Sequence, residues 1–64
     1  MNNLENKREK FLRIFANVPE NIRRNIIAVV DEKTYTWNTA FLEIKDNTKL
    51  GKKILKTLGD TGII

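Results

Sequence analysis

The sequence contains no cysteine, histidine, serine or glutamine, and each absence removes a class of chemistry. Without cysteine no disulfide can form, and without cysteine or histidine a structural zinc ion has none of its usual ligands. Serine and cysteine nucleophiles and imidazole acid–base catalysis are excluded as well. A chain of 64 residues is also too short to enclose the pocket of about 300 Å³ or more that usually holds a ligand. We therefore expect no enzymatic activity, no cofactor, no metal and no small-molecule substrate.

Long apolar runs are missing too. The longest, Ile26–Val30, is far shorter than the roughly 20 apolar residues that span a bilayer. The first twenty residues mix charges throughout and show no targeting segment. Together with the lack of cysteine, these features predict a cytoplasmic protein.

The length allows one small domain, residues 1–64. A domain of this size buries only about 60% of the surface that its unfolded chain exposes. Such domains usually need disulfides, a metal or a partner subunit. Because the first two are excluded, we expect the third, as a homodimer or with another protein partner.

Two segments before residue 26 have helical patterns. The first is expected from Asn3 to Asn17, where apolar residues recur on one side at about 100° per residue. They are Leu4, Phe11, Ile14, Phe15 and Val18. Pro19 then suits the first turn of a second helix, expected from Pro19 to about Asn25.

The next segment, Ile26–Val30, decides the fold class. Its β-branched residues favour a strand, although Ile22, Ile26 and Val29 would also continue a helix. A turn over Asp31–Thr34 and a second strand at 35–36 would complete a hairpin, without the usual Asn-Gly or Asp-Gly signature. We predict a small, mostly helical α+β domain with a short central β-hairpin. The alternative is an all-α bundle.

Two helices are expected after the hairpin. Thr36 suits the N-cap of one that runs to about Asp46, and a cap at 47–48 precedes another from Lys49 to about Leu58. Gly51 indicates a close approach by another element, and Gly59 stands where a C′ glycine belongs. The 47–48 link is shorter than the turn of a helix-turn-helix, which argues against that motif. Two aromatic pairs, Phe11/Phe15 and Trp37/Phe41, fall on apolar faces and are expected in the core in preference to stacking on bases, while Tyr35, next to the turn, is left open.

The last predicted helix separates its residues into an apolar and a cationic face. On a helical wheel its leucines and Ile54 fall within roughly 140°, and its lysines occupy the opposite arc. The cationic face consists of Lys49, Lys52, Lys53 and Lys56.

Three interpretations of the cationic face compete. It is solvated or neutralised by acids of residues 31–46, or it contacts an anionic partner, most simply nucleic-acid phosphates. In the second case Arg23, Arg24 and the arginines of the first helix would extend it. The least favoured partner is an anionic membrane surface, because the apolar residues are needed for the core. The net charge of +4 leaves all three open.

We therefore expect a non-enzymatic protein-interaction module that self-associates through the hairpin edge or an apolar face. The alternative function is nonspecific binding of nucleic-acid phosphates by the basic C-terminal helix. Glu43 and Asp46, at helical spacing, are interpreted as a solvated helix edge in preference to a cation site.

Overall fold

The structure is a computed structural model and describes residues 3–64. This part of the chain forms three helices and a two-stranded antiparallel sheet, so the predicted α+β class is confirmed and the all-α alternative is not. The elements, in chain order, are α1 (Asn3–Ala16), β1 (Ile26–Val30), β2 (Lys33–Thr36), α2 (Trp37–Lys45) and α3 (Lys49–Asp60).

The hairpin is tighter than the sequence indicated. Its turn consists of two residues, Asp31 and Glu32, and β2 already begins at Lys33. Both turn residues have positive φ, 51° and 67°, as a type I′ turn requires. The right-handed twist of paired strands favours this turn even without glycine, which explains why the four-residue turn was wrong. A bulge between Ile26 and Ala28 adds one residue to β1.

The second predicted helix, Pro19–Asn25, is wrong. The segment is a series of turns, mostly with bonds from residue i+3 to residue i, such as Ile22 N–H to Pro19 O at 2.9 Å. A segment this short gains few helical hydrogen bonds for the cost of nucleation. It is also bounded by the β-branched run that enters β1.

Helices α2 and α3 meet closely at their link. Thr36 and Thr39 form a reciprocal capping box on α2, and Thr48 Oγ1 accepts the Gly51 N–H at 2.9 Å on α3. A Cβ at Gly51 would clash with the carbonyl oxygen of Glu43, which confirms the predicted close approach. Since α2 ends at Lys45, the link has three residues, and its length no longer argues against a helix-turn-helix.

The C-terminal end of α3 lies further along than predicted. Gly59 is inside the helix, and the left-handed C′ residue is Gly62, with φ 84°. Gly62 N–H donates to Gly59 O and Ile63 N–H to Leu58 O, which is the Schellman pattern. The tail then folds back, because Ile64 packs against the core while Ile63 stays exposed.

The core lies where α1, α2, α3 and β1 meet. The predicted apolar face of α1 contributes Phe11 and Phe15, both buried. The rings of Phe11 and Trp37 stack at 5.6 Å between centroids, and those of Phe15 and Phe41 at 4.2 Å. Tyr35 packs against the same cluster. The two aromatic pairs therefore lie in the core or pack against it, as predicted.

Candidate functional site

Helix α3 packs its apolar face inward and exposes its cationic face, as the sequence predicts. Its apolar side is buried against the rest of the molecule through Ile54, Leu55 and Leu58. All its lysines are exposed: Lys49, Lys52, Lys53 and Lys56. The cationic face is therefore on the surface and accessible.

Three of these lysines border a groove between α1 and α3. The groove has a volume of about 390 Å³ and opens to solvent. Its lining, which we call the lysine groove, consists of Leu4, Lys7, Lys52, Lys53 and Lys56. Lys7 of α1 thus joins the lysines of α3, and the packing of the two helices concentrates four cationic side chains in one place.

The position of Lys7 depends on a glycine of α3. A Cβ at Gly59 would lie 2.8 Å from Lys7 Cε and 3.0 Å from its Nζ. The end of the Lys7 side chain therefore lies directly over Gly59, in space that any other residue would take.

Nearby acidic side chains pair with only part of the positive charge in the lysine groove. Lys53 Nζ lies 3.1 Å from Asp31 Oδ2, and 60% and 68% of the two side chains are exposed. An exposed pair of this kind contributes about 0.2–1 kcal/mol, so Lys53 is readily released from it. Within residues 4–64, Lys7, Lys52 and Lys56 form no ion pair. Three of the four lysines of the groove therefore lie outside any ion pair in this part of the chain, although Glu5 lines a neighbouring cavity with Lys52.

The other predicted site residues lie outside the groove lining. Arg23 is half-buried, donates from Nε to Val18 O at 3.0 Å, and places its guanidinium 4.4 Å from the ring centre of Phe15. Arg24 is exposed and lines a separate groove with Glu20 and Asn21. Lys49 is exposed at the start of α3, beyond the lining. Arg23 thus supports the fold, while Arg24 and Lys49 are exposed charges outside the lysine groove.

Sequence reasoning missed Lys7, although a signal was present. On a helical wheel of α1, Lys7 falls between Phe11 and Ile14, within the apolar side. A lysine in such a position buries its stem and extends its ammonium group over a neighbouring element. The element over which Lys7 extends could not be predicted, because a helical wheel does not show which helix packs against α1.

A second exposed surface lies on the hairpin. Ile26 and Val29 of β1 are 59% and 60% exposed, and we call these two side chains the hairpin face. They stand opposite Thr36 and Thr34 of β2. The neighbouring Ala28 and Val30 point into the core. The sheet thus has one buried side and one open side with aliphatic residues on it.

Of the two acids interpreted as a solvated helix edge, Asp46 is exposed, whereas Glu43, the one acid of α2, is half-buried and serves the fold. Glu43 Oε1 accepts a hydrogen bond from Thr48 Oγ1 at 2.8 Å and so helps to secure the link to α3.

Within the part of the chain that the structure describes, no three Asp or Glu residues lie close enough together to hold a metal ion. No helix in residues 3–64 has the length and apolarity to cross a bilayer.

The chain was compared with protein-family models, curated proteins and solved structures, and none of them matches it.

Proposed function

We propose that this protein is a non-enzymatic interaction module that self-associates through the hairpin face. The observation that carries the proposal is the exposure of Ile26 and Val29, about three-fifths each, on the open side of the sheet. When a second copy covers aliphatic residues on an open strand, the free energy falls, because apolar surface is removed from water. We further propose a cytoplasmic setting, because a chain without cysteine needs no oxidising compartment.

The hairpin also offers backbone groups to a second copy. Between residues 3 and 64 the sheet has only β1 and β2, so each strand pairs on one side alone. Unpaired strand edges are templates for another strand, and two copies of the same edge can pair around a twofold axis. Apolar contact across the hairpin face and strand pairing at an edge would act together.

The expected association is weak. Covering the exposed parts of Ile26 and Val29 on both copies removes on the order of 400 Å² of apolar surface, worth about 10 kcal/mol. Association costs about 4–15 kcal/mol in lost freedom of motion. With the cost near the lower end of this range, at about 4–6 kcal/mol, about 4–6 kcal/mol remain, so a dissociation constant between about 40 μM and 1 mM is expected.

Sedimentation equilibrium between about 10 μM and 1 mM protein tests this proposal. The natural chain should pass from monomer to dimer over that range. The double variant Ile26→Thr/Val29→Thr keeps β-branched side chains and should remain monomeric. Leu42→Gln is the matched control, because Leu42 is 55% exposed but lies on α2, and it should associate like the natural chain.

Two outcomes would reject self-association through this surface. One is a natural chain that stays monomeric up to 1 mM (about −4 kcal/mol of binding free energy). The other is a dimer that the Ile26→Thr/Val29→Thr change leaves intact. Circular dichroism of each variant shows whether it has kept its fold.

A further inference from the structure

We infer that the lysine groove binds the phosphate backbone of duplex nucleic acid without reading its base sequence. This binding does not rest on self-association, because the groove lies on α1 and α3 and the hairpin face lies on β1. The two proposals can therefore fail separately.

Charge is the first argument. Lys52 and Lys56 are one turn apart on α3 and repel each other, and Lys7 is brought to the same groove from α1. In the described residues only Lys53 of this set has an acidic partner, Asp31. A groove with several uncompensated ammonium groups matches a ligand with closely spaced negative charges.

The environment of the aromatic residues favours a duplex over a single strand. Proteins that bind single strands usually stack bases on exposed aromatic rings. Here Phe11 and Phe15 stack in the core with the partly buried Trp37 and Phe41, and the groove lining contains lysine and leucine only. What remains is contact with phosphates, whose density along the axis is greatest in a duplex.

The packing of α3 disfavours a membrane surface. An amphipathic helix binds a bilayer by inserting its apolar face among the lipids. In α3 that face is occupied, since Ile54, Leu55 and Leu58 are at most 2% exposed. Lysines alone would give a membrane only the electrostatic part of the attraction.

The number of contacts sets the salt dependence. Lys7, Lys52 and Lys56 can each meet a phosphate directly, and Lys53 can do so after leaving Asp31. With three to four phosphates neutralised, a plot of the logarithm of affinity against the logarithm of salt concentration should have a slope of about −2.7 to −3.6.

The experiment is fluorescence anisotropy of a labelled duplex of about 20 base pairs, titrated with the full chain at several salt concentrations. We expect binding in the micromolar range at low salt and equal affinity for unrelated sequences. Lys52→Glu should weaken binding by about tenfold or more and make the slope shallower by about 1. Glutamate here stands four residues before Lys56, a favourable helical pair, so α3 should keep its structure.

Two further variants make the test specific. Arg24→Glu changes the net charge by the same amount outside the groove and should alter affinity by less than about threefold. Asp31→Asn frees Lys53 and should raise affinity, while asparagine tolerates the positive φ of 51° at this position.

Several outcomes would overturn the inference. Absence of duplex binding at 25 mM salt (a Debye length of about 20 Å) is one. Equal losses from Lys52→Glu and Arg24→Glu would show that net charge acts and the groove does not. Binding to vesicles of phosphatidylserine and phosphatidylcholine without duplex binding would assign the lysines to membranes. Tighter binding to single strands than to the duplex would contradict the role of phosphate density.

Discussion

At the scale of single residues, two glycines of α3 have opposite surroundings. A side chain at Gly51 would meet the backbone of Glu43, which is fixed by α2 and by the hydrogen bonds of Thr48. A side chain at Gly59 would meet only the far end of Lys7, a flexible side chain. The same substitution should therefore have opposite effects at the two positions.

We predict that Gly51→Ala lowers the free energy of unfolding by about 1–3 kcal/mol, because α2 and α3 must separate to admit a methyl group. Gly59→Ala should leave it unchanged or raise it by up to about 1 kcal/mol, since alanine is the better helix former. Urea unfolding followed by circular dichroism measures both. Equal losses in the two variants would contradict the assigned difference between backbone and side-chain neighbours.

Some residue roles could be predicted from the sequence and others could not. Thr36 acts within the first turn of its own helix, and Gly51 meets the helix that directly precedes its own in the sequence, so local rules of capping and close approach were enough. The roles of Lys7 and Arg23 depend on which element packs beside them. Arg23 is predicted to extend the cationic face because its charge is visible in the sequence, while its contacts with Phe15 and Val18 are not.

At the scale of elements, the hairpin turn requires a backbone conformation that one of its residues does not favour. Its turn needs positive φ at both positions, and Glu32, with φ 67°, has no special tolerance of that region. The left-handed conformation costs a residue with a Cβ roughly 1–2 kcal/mol, while glycine adopts it freely. Pairing of β1 with β2 holds Glu32 in this conformation.

We expect Glu32→Gly to raise the free energy of unfolding by about 0.5–1 kcal/mol, after the larger entropy of glycine in the unfolded chain is subtracted. Glu32→Gln is the control, because it removes the charge and keeps the strained backbone. Its stability should lie within about 0.5 kcal/mol of the natural chain. Thermal unfolding of the three proteins decides, and a glycine variant no more stable than the glutamine variant would contradict the turn assignment.

The hairpin and the segment before it also show how far elements could be predicted. The β-branched composition of Ile26–Val30 was a sufficient signal for a strand, and the strand is present. Pro19 and Glu20 favour the start of a helix, but a start signal alone does not make a short segment helical. The seven residues from Pro19 to Asn25 have too few helical hydrogen bonds, and turns result.

At the scale of the whole molecule, the lysine groove and the hairpin face belong to different elements. The lysine groove could not be predicted as a whole, because it depends on the docking of α1 beside α3. A dimer formed through the hairpin face would carry two such grooves. On a long duplex, the second groove would then bind at a high effective concentration.

This arrangement predicts a link between association and affinity. With a duplex of about 60 base pairs, the natural chain should bind more tightly than Ile26→Thr/Val29→Thr once its concentration exceeds the dimer dissociation constant. Below that concentration the two proteins should bind alike, because each monomer has an intact groove. Anisotropy titrations with and without pre-equilibration at high protein concentration compare them. Identical curves at all concentrations would show that the two surfaces act independently.

The way α1 is fastened has a consequence for the order of folding. Arg8 of α1 donates from Nε to Ile44 O at the end of α2, across 36 positions of the chain, and Lys10 donates to Ile64 O across 54. The hairpin and the α2–α3 pair, by contrast, join neighbours in sequence, and such contacts close small loops at low entropic cost. Residues 26–60 should therefore assemble first, and α1 should dock in the last step. The lysine groove comes into existence only with that docking.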